Sequence, residues 1–380
     1  MGRLPDVTAG DLARMLAERI EQLAPVCLPL GYYDKKMNAW RCGDVFGAKP
    51  KDGSLFVWYG GPRRGRYIDF ALRGGAVKDH WSGDALELVC QSRCNGDKSK
   101  AFRWALDYLG LQAMDQGERD RLKQEAANRA AEATRRAEER RAQEEEASRK
   151  KAQGRFLEAQ EIILGTPVDA YLRGRGIDMR RFGRMPTGLR FHPSLWNVEL
   201  QGRSPAMVWA ISGESGFMGL HRTWLEVHAD GRVTKHRGVK DNKKVMGQQK
   251  GGHIALWRGE QPDPETGELR MNPPIRKAAG ERPILSEGVE DGLTSALVNR
   301  TRRHLATVNA GNIFDLWLPE GVVPGTLLMQ REGNPEAERL QGEILAFAED
   351  RWPGILAGWP PEGFKDINDA YCAALAGKGM

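Results

Sequence analysis

The chain reads as a multidomain protein of mixed class, part α/β and part α+β, and three observations predict this. The last hundred residues alternate short apolar runs with helix-like ones, the order expected of a parallel sheet with crossover helices. From about 113 to 157 the composition shifts to Ala, Glu, Arg and Lys, with no aromatic residue over 118–153, a change that separates an amino-terminal part from a carboxy-terminal one. At 380 residues the chain also exceeds the usual size of one hydrophobic core. The expected division is an amino-terminal domain over 1–112, a charged helical linker over 113–157, a basic sheet-rich part over 158–275 and a parallel-sheet domain over 276–380.

Taken in order, the opening residues carry acids among the basic groups and no apolar core of a leader, and no later window nears eighteen consecutive apolar residues. A cytoplasmic protein without a membrane partner is expected. Five cysteines, odd in number and scattered, fit a reducing compartment. Cys90 and Cys94 are one helix turn apart, but the only further ligands near them are Cys42 and His80, at no zinc-binding spacing; buried thiols are expected and zinc is not. Within 28–112, "GSLFVWYGG" and "RYIDFAL" read as a hairpin, and "GDALELVCQSRC" and "KSKAFRWALDYLG" as amphipathic helices. Phe102, Ala105, Leu106 and Leu109 fall on one face of the second.

The segment 113–157 repeats opposite charges at three- and four-residue spacing with no sustained apolar seam, which predicts a solvated helix and not a coiled coil. Beyond it, "PAMVWAIS", "GFMGLHRTWLEV" and "GGHIALW" predict strands, and the Pro- and Gly-rich stretch after 257 predicts a surface excursion. The final hundred residues then read strand "PILSEG", helix "VEDGLTSALVNRT", strand "HLATVNAG", short helix "NIFDLWL", strand "GTLLMQ", helix "NPEAERLQGEILAFAEDR" and strand "GILAGWP".

Open parallel sheets build their chemistry at the carboxyl ends of the strands. There the sequence places Glu287, Asn309, Gln330 and Pro360, with Glu332, Asp366 and Asp369 near the same edge. Carboxylates gathered this way repel one another unless a divalent cation or solvent relieves them, and Mg²⁺ favours such oxygen ligands. Glu290 and Asp291 have a plainer reading, as acids at a helix start, and so have Asp366 and Asp369. The net charge of +6 is concentrated in clusters at 60–67, 173–184 and 235–244. Such clusters suit a polyphosphate ligand, although a charge cluster by itself more often marks a solvated surface.

"ILSEGVEDGLTSA", the "TLLMQREGNPEAE" strand and "KDINDAY" are similar in order and spacing to the Toprim fold of bacterial-type primases, topoisomerases and related phage, plasmid and mobile-element proteins. Upstream, "AYLRGRGI", "RFHP", "GFMGLHRTWL" and "KKVMGQQKGGHIALW" resemble the basic half of the primase core, so that the resemblance spans about 165–380. It implies a metal site of Glu287, Gln330, Glu332, Asp366 and Asp369 holding Mg²⁺ or Mn²⁺, with Glu287, Glu332 and Asp366 catalytic. It also implies Arg175, Arg222, Lys243, Lys244 and Lys250 as contacts to template or incoming nucleotide. In the family a D-x-D follows the third strand; here it is Gln330-Arg331-Glu332, which removes one charge and lengthens one side chain. "GRYIDFALRGGAVKDHWSGDALELV" is similar to the family's zinc module without its ligands, and implies a single-stranded DNA surface with Arg63, Arg64, Arg66 and Trp58. For Trp58 and Tyr67 a place in the core is an equal alternative.

The activity implied is Mg²⁺-dependent joining of nucleoside triphosphates into short primers on single-stranded DNA, during DNA replication of a mobile element. No G-x-x-x-x-G-K-[ST] sequence occurs, so a replicative helicase would be a separate partner. Two other readings stand beside it: a Toprim protein with a weakened site that binds single strands as a replication or regulatory factor, and a Toprim nuclease.

Overall fold

The first helix starts where the sequence offers a reciprocal cap. Thr8 Oγ1 accepts from the Asp11 amide at 3.2 Å while Asp11 Oδ2 accepts from the Thr8 amide at 2.9 Å. The computed structural model describes residues 7–46, 54–70, 82–331 and 333–377; Glu332 and His80 lie outside the described residues. The fold is mixed α/β, with several sheets and helices in two units, Met1–Gln143 and Glu144–Met380.

In the first unit, helices α1 (Ala9–Glu18) and α2 (Ile20–Cys27) lead into strands β1 (Tyr32–Asp34), β2 (Ala39–Cys42), β3 (Leu55–Trp58), β4 (Tyr67–Asp69) and β5 (Ser82–Gly83). Among the described residues these strands form an antiparallel sheet in sequence order. Helices α3 (Ala85–Cys94) and α4 (Lys98–Tyr108) come next, α3 capped by Asp84 and α4 by Asp97. Side chains alternate across the pleat, so Leu55, Val57 and Tyr67 enter a core with Leu12, Leu16, Ile20, Leu88 and Leu106. The sequence pattern assigns no element to residues 8–27, yet α1 and α2 supply much of that core. Cys27, Cys42, Cys90 and Cys94 are buried, and among the described residues they form no disulfide.

Helix α5 (Gln116–Glu158) runs 43 residues from one unit into the other, mostly solvated, with ion pairs such as Arg136–Glu132 at 2.5 Å. In the second unit Ala152, Phe156 and Ala159 near its end pack on Leu195, Val208, Leu220 and Trp224. Helix α6 (Pro167–Gly174) precedes β6 (Leu189–Asn197), β7 (Gly202–Gly213), β8 (Gly216–Val227), β9 (Val233–Lys235) and β10 (Lys243–Gly247), an antiparallel sheet in the order β10-β8-β7-β6 with β9 also on β8.

Strand β11 (Ile254–Trp257) differs from expectation. It leaves the basic sheet and becomes the antiparallel edge of the next one. The excursion after it contains a hairpin, β12 (Glu260–Pro262) with β13 (Leu269–Met271). Then β14 (Ile284–Ser286), α7 (Val289–Val298), β15 (His304–Ala306), β16 (Thr326–Leu328), α8 (Pro335–Arg351), β17 (Leu356–Gly358) and α9 (Ile367–Leu375) succeed one another in the alternation read from the sequence. The strand order is β11-β15-β14-β16-β17, with β15, β14, β16 and β17 mutually parallel. Buried Leu285, Leu305 and Leu327 of the parallel strands pack with Ile344 and Ala348 of α8. Helix α7 lies so close to the sheet that a Cβ on Gly292 would stand 2.2 Å from Leu256 Cδ1 and 2.5 Å from Ser286 Oγ.

Candidate active site

The carboxyl ends of the parallel strands bring four polar groups together. Glu287 comes directly after β14, and Gly288 leaves the entry to α7 bare. A Cβ there would meet Asp291 Oδ2 at 3.6 Å and Glu290 Oε2 at 3.7 Å. Asp291, in the first turn of α7, accepts from Gln330 Nε2 at 3.0 Å through one oxygen and from the Asn368 amide at 3.0 Å through the other. Asp366 caps α9, accepting from the Asp369 amide at 2.7 Å, and its charge acts on Asp291. Burial, and after it Asp366, push the Asp291 carboxyl up to about 6. Val308, just past β15, has φ 75°, a region β-branched residues avoid, so the backbone at this edge is strained.

Asp291 is the acid at a helix start that the sequence suggests, in the first turn of α7, and both of its oxygens also accept hydrogen bonds from the neighbouring loops. The signal was in the E-G-x-x-D spacing, which puts one acid at the strand end before the Gly288 cap and the other in the first turn of α7. Glu290 is different again. It is buried, and accepts from Lys235 Nζ at 2.8 Å, Lys243 Nζ at 3.3 Å and the Tyr171 hydroxyl at 2.7 Å. Burial would raise its carboxyl; the charges of Lys243 and Lys235 and the hydrogen bonds of Lys235 and Tyr171 overcome this and hold it well below the usual range. Lys243, drawn to Glu290, also feels the charge of Glu287.

The remaining candidates separate by strand parity. Lys243 pairs across from Thr223 and Lys244 from Arg222, so the two lysines take opposite faces of the β8/β10 ladder. Lys243 turns to Glu290. Arg222 turns to Trp224, with its guanidinium 4.9 Å from the ring, donates to Val245 O at 3.1 Å and is brought down to about 10 by burial. Lys244 pairs with Glu199 on that same face, and exposed Lys250 pairs with Asp315 at 3.2 Å. Arg222 and Lys244 therefore do not turn to Glu290 as Lys243 does. Asp369 pairs with Arg175 at 3.1 Å, so it faces a cation of α6's end and not the Asp291 pair.

The basic clusters at 173–184 and 235–244 meet in a cleft of about 710 Å³, lined by Arg173, Arg175, Arg232, Lys235 and Arg237 and, among the described residues, by no carboxylate. Tyr171 and Lys235 line it too, which sets the cleft against Glu290.

In the first unit, the face of the sheet turned from its core carries Tyr32, Arg41, Phe56 and Ile68 as cross-strand neighbours. The Arg41 guanidinium stands 4.7 Å from the Phe56 ring and 5.9 Å from Tyr32. Phe56 stacks on Trp58 at 6.4 Å and meets Phe70 edge-on at 5.7 Å, and Arg63 covers Trp58 at 5.1 Å. Tyr67 is wholly in the core. Arg66 is exposed, whereas Arg64 is tied to Glu21 of α2 at 2.9 Å and to Glu18 O of α1 at 2.9 Å, a clamp between the turn at 61–64 and the two helices. Sequence alone does not single out Tyr32, Arg41, Phe56 and Phe70, because only strand pairing shows which alternate residues share a face.

Glu287, Asp291, Asp366 and the Gln330 carbonyl are all oxygen donors, the ligand type that divalent cations take, and the charges of Asp291 and Asp366 repel. Among the described residues no three His, Cys, Asp or Glu side chains form a preassembled ligand set. Also among the described residues, no helix is long and apolar enough to cross a membrane.

A family described as a domain of unknown function (DUF7146) matches residues 146–256. No curated protein matches the chain. Among solved structures, the crystal structure of the primase fragment of the Bacteriophage T7 primase-helicase protein is similar to it with a TM-score of 0.31 and 13% sequence identity, over 55% of this chain and 70% of that one.

Proposed function

We propose that the second unit is a primase-like nucleotidyl transferase whose parallel sheet is of the Toprim kind. The observation that carries this is the adjacency, through Glu290, of an oxygen-rich strand rim and a cleft lined by five cationic side chains. Joining nucleotides requires cations to hold the triphosphate and a metal between the attacking and leaving oxygens. Arg173, Arg175, Arg232, Lys235 and Arg237 suit the first task. Glu287, Asp291 and Asp366, with Gln330 and Glu332 from the departed D-x-D, would hold Mg²⁺ or Mn²⁺, which when bound would stabilise the charge on the transferring phosphate. Lys243, anchored by Glu290 beside Glu287, supplies a fixed positive charge at the same place. The aromatic and arginine face of the first unit is suited to stacking the bases of a single-stranded template.

Primer synthesis from ribonucleotides on single-stranded DNA tests this, with loss of product in Glu287→Ala expected. A specific observation favours a second reading, a single-strand-binding factor with a silent rim: Gln330 spends its amide N–H on Asp291 and brings no charge to the site. That reading expects no primer under any divalent metal, and single-strand binding that EDTA does not alter.

A further inference from the structure

Beside the rim, between the loops that succeed β16 and β17, lies a second cleft of about 440 Å³, within the usual size of a small-ligand site. Its two walls are tied together by Arg331, whose backbone amide donates to Lys365 O at 2.8 Å and whose side-chain Nε donates to Pro360 O at 3.3 Å. Trp359 and Phe364 furnish aromatic surface. Trp359 is 42% exposed, unusual for so large a ring, and the Arg331 guanidinium lies 5.5 Å from it. Gln341 of α8 lines the floor. It is only 7% exposed, and among the described residues its amide has no hydrogen-bond partner. The amide itself is not sealed from solvent, so it opens into the cleft and can both donate to and accept from what enters it.

An open ring face, flanking cations and an amide that can both donate and accept are together the chemistry that recognises a nucleobase carrying a phosphate. An apolar peptide side chain would use the ring but leave Gln341 unsatisfied, and a bare phosphate would use Arg331 but neither ring. We infer that this cleft is a nucleobase subsite, in which Trp359 stacks the base, Gln341 pairs with its edge and Arg331 meets its phosphate. The inference gains its meaning from the nucleotidyl-transfer reading of the neighbouring rim, yet it concerns binding and is tested without turnover.

The full chain is titrated with each of the four nucleoside triphosphates, with a short single-stranded oligonucleotide and its abasic counterpart, and with inorganic tripolyphosphate. Stacking of one base is worth about 1–3 kcal/mol, so Trp359→Ala is expected to weaken nucleotide binding about tenfold or more. Trp359→Phe should restore most of it, and tripolyphosphate affinity should not move. Gln341→Leu is expected to even out the affinities for the four bases. A larger effect on the triphosphates than on the oligonucleotide makes the occupant the incoming nucleotide; the reverse, with the abasic strand indifferent to Trp359, makes it a base of the strand. Nucleotide binding that is absent in the wild type, unchanged in Trp359→Ala, or lost in parallel with tripolyphosphate overturns the inference. A wild type that makes no primer but binds bases through Trp359 sinks the reading of the rim alone; one that makes primer and ignores Trp359→Ala sinks the subsite alone.

Discussion

Glu290 and Asp369 are both acids paired with cations, and burial makes them unlike. Glu290 is enclosed at 6% exposure while Lys235 and Lys243 keep 30% and 37% of their side chains in water, so Glu290→Ala leaves two ammonium groups facing each other and should cost about 1–3 kcal/mol in a urea titration. The Asp369–Arg175 pair is partly open to water, and Asp369→Asn should cost no more than about 1 kcal/mol. A reversed ranking would contradict the role given to burial. Protons act in two directions. Burial holds His221, His253 and His304 down at about 4, so their contribution is complete above pH 6.5 and is lost as pH falls toward 4, where the unfolded chain takes up protons first. Asp291, raised to about 6, contributes fully below about pH 4 and loses that contribution as pH rises through 6. Three groups oppose one, so stability should fall from pH 6.5 to 4, and Asp291→Asn should make the fall steeper in urea midpoints taken across that range. The sequence shows that Glu290 and Asp291 are acids at a helix start. What each one faces depends on residues 39 to 119 positions away, Gln330, Lys243 and Tyr171, and no local pattern encodes that.

Helix α7 joins the rim to the basic cleft, and its seating depends on a residue without a side chain. Gly292→Ala would press a methyl group into Leu256 and Ser286, an overpacking that should cost about 1–3 kcal/mol in thermal or urea unfolding. Gly342→Ala on α8, where a Cβ meets nothing within 4 Å, should be neutral or slightly stabilising. Elements of this region are legible because each parallel strand is an apolar run closed by a polar residue and succeeded by helical periodicity. Residues 8–27 also carry helix signals, in Thr8 and Asp11 with Leu12, Met15 and Leu16 behind them, which a search for export signals alone passes over. Strand β11 is recognisable as a strand, whereas its partner is not: an apolar run of four residues carries no mark of which sheet it will join, and its pairing with β15 lies some fifty residues downstream.

Across the whole molecule, two units divide at the middle of one long helix, each with a core of its own. A fragment of residues 144–380 should therefore unfold cooperatively by itself, and a broad transition without a baseline would show that its core is incomplete. If the rim holds a divalent cation, Mg²⁺ should raise the melting temperature of that fragment at pH 7.5, where Asp291 is charged, and do so much less at pH 5, where it is largely protonated. That the strand rim and the cationic cleft form one nucleotidyl-transfer site is open to a single decisive assay, primer synthesis by the full chain on single-stranded DNA with Mg²⁺, run beside Glu287→Ala. Short products from the wild type and none from the variant are expected; no product from the wild type across templates and divalent metals, or equal product from both proteins, would contradict a shared site.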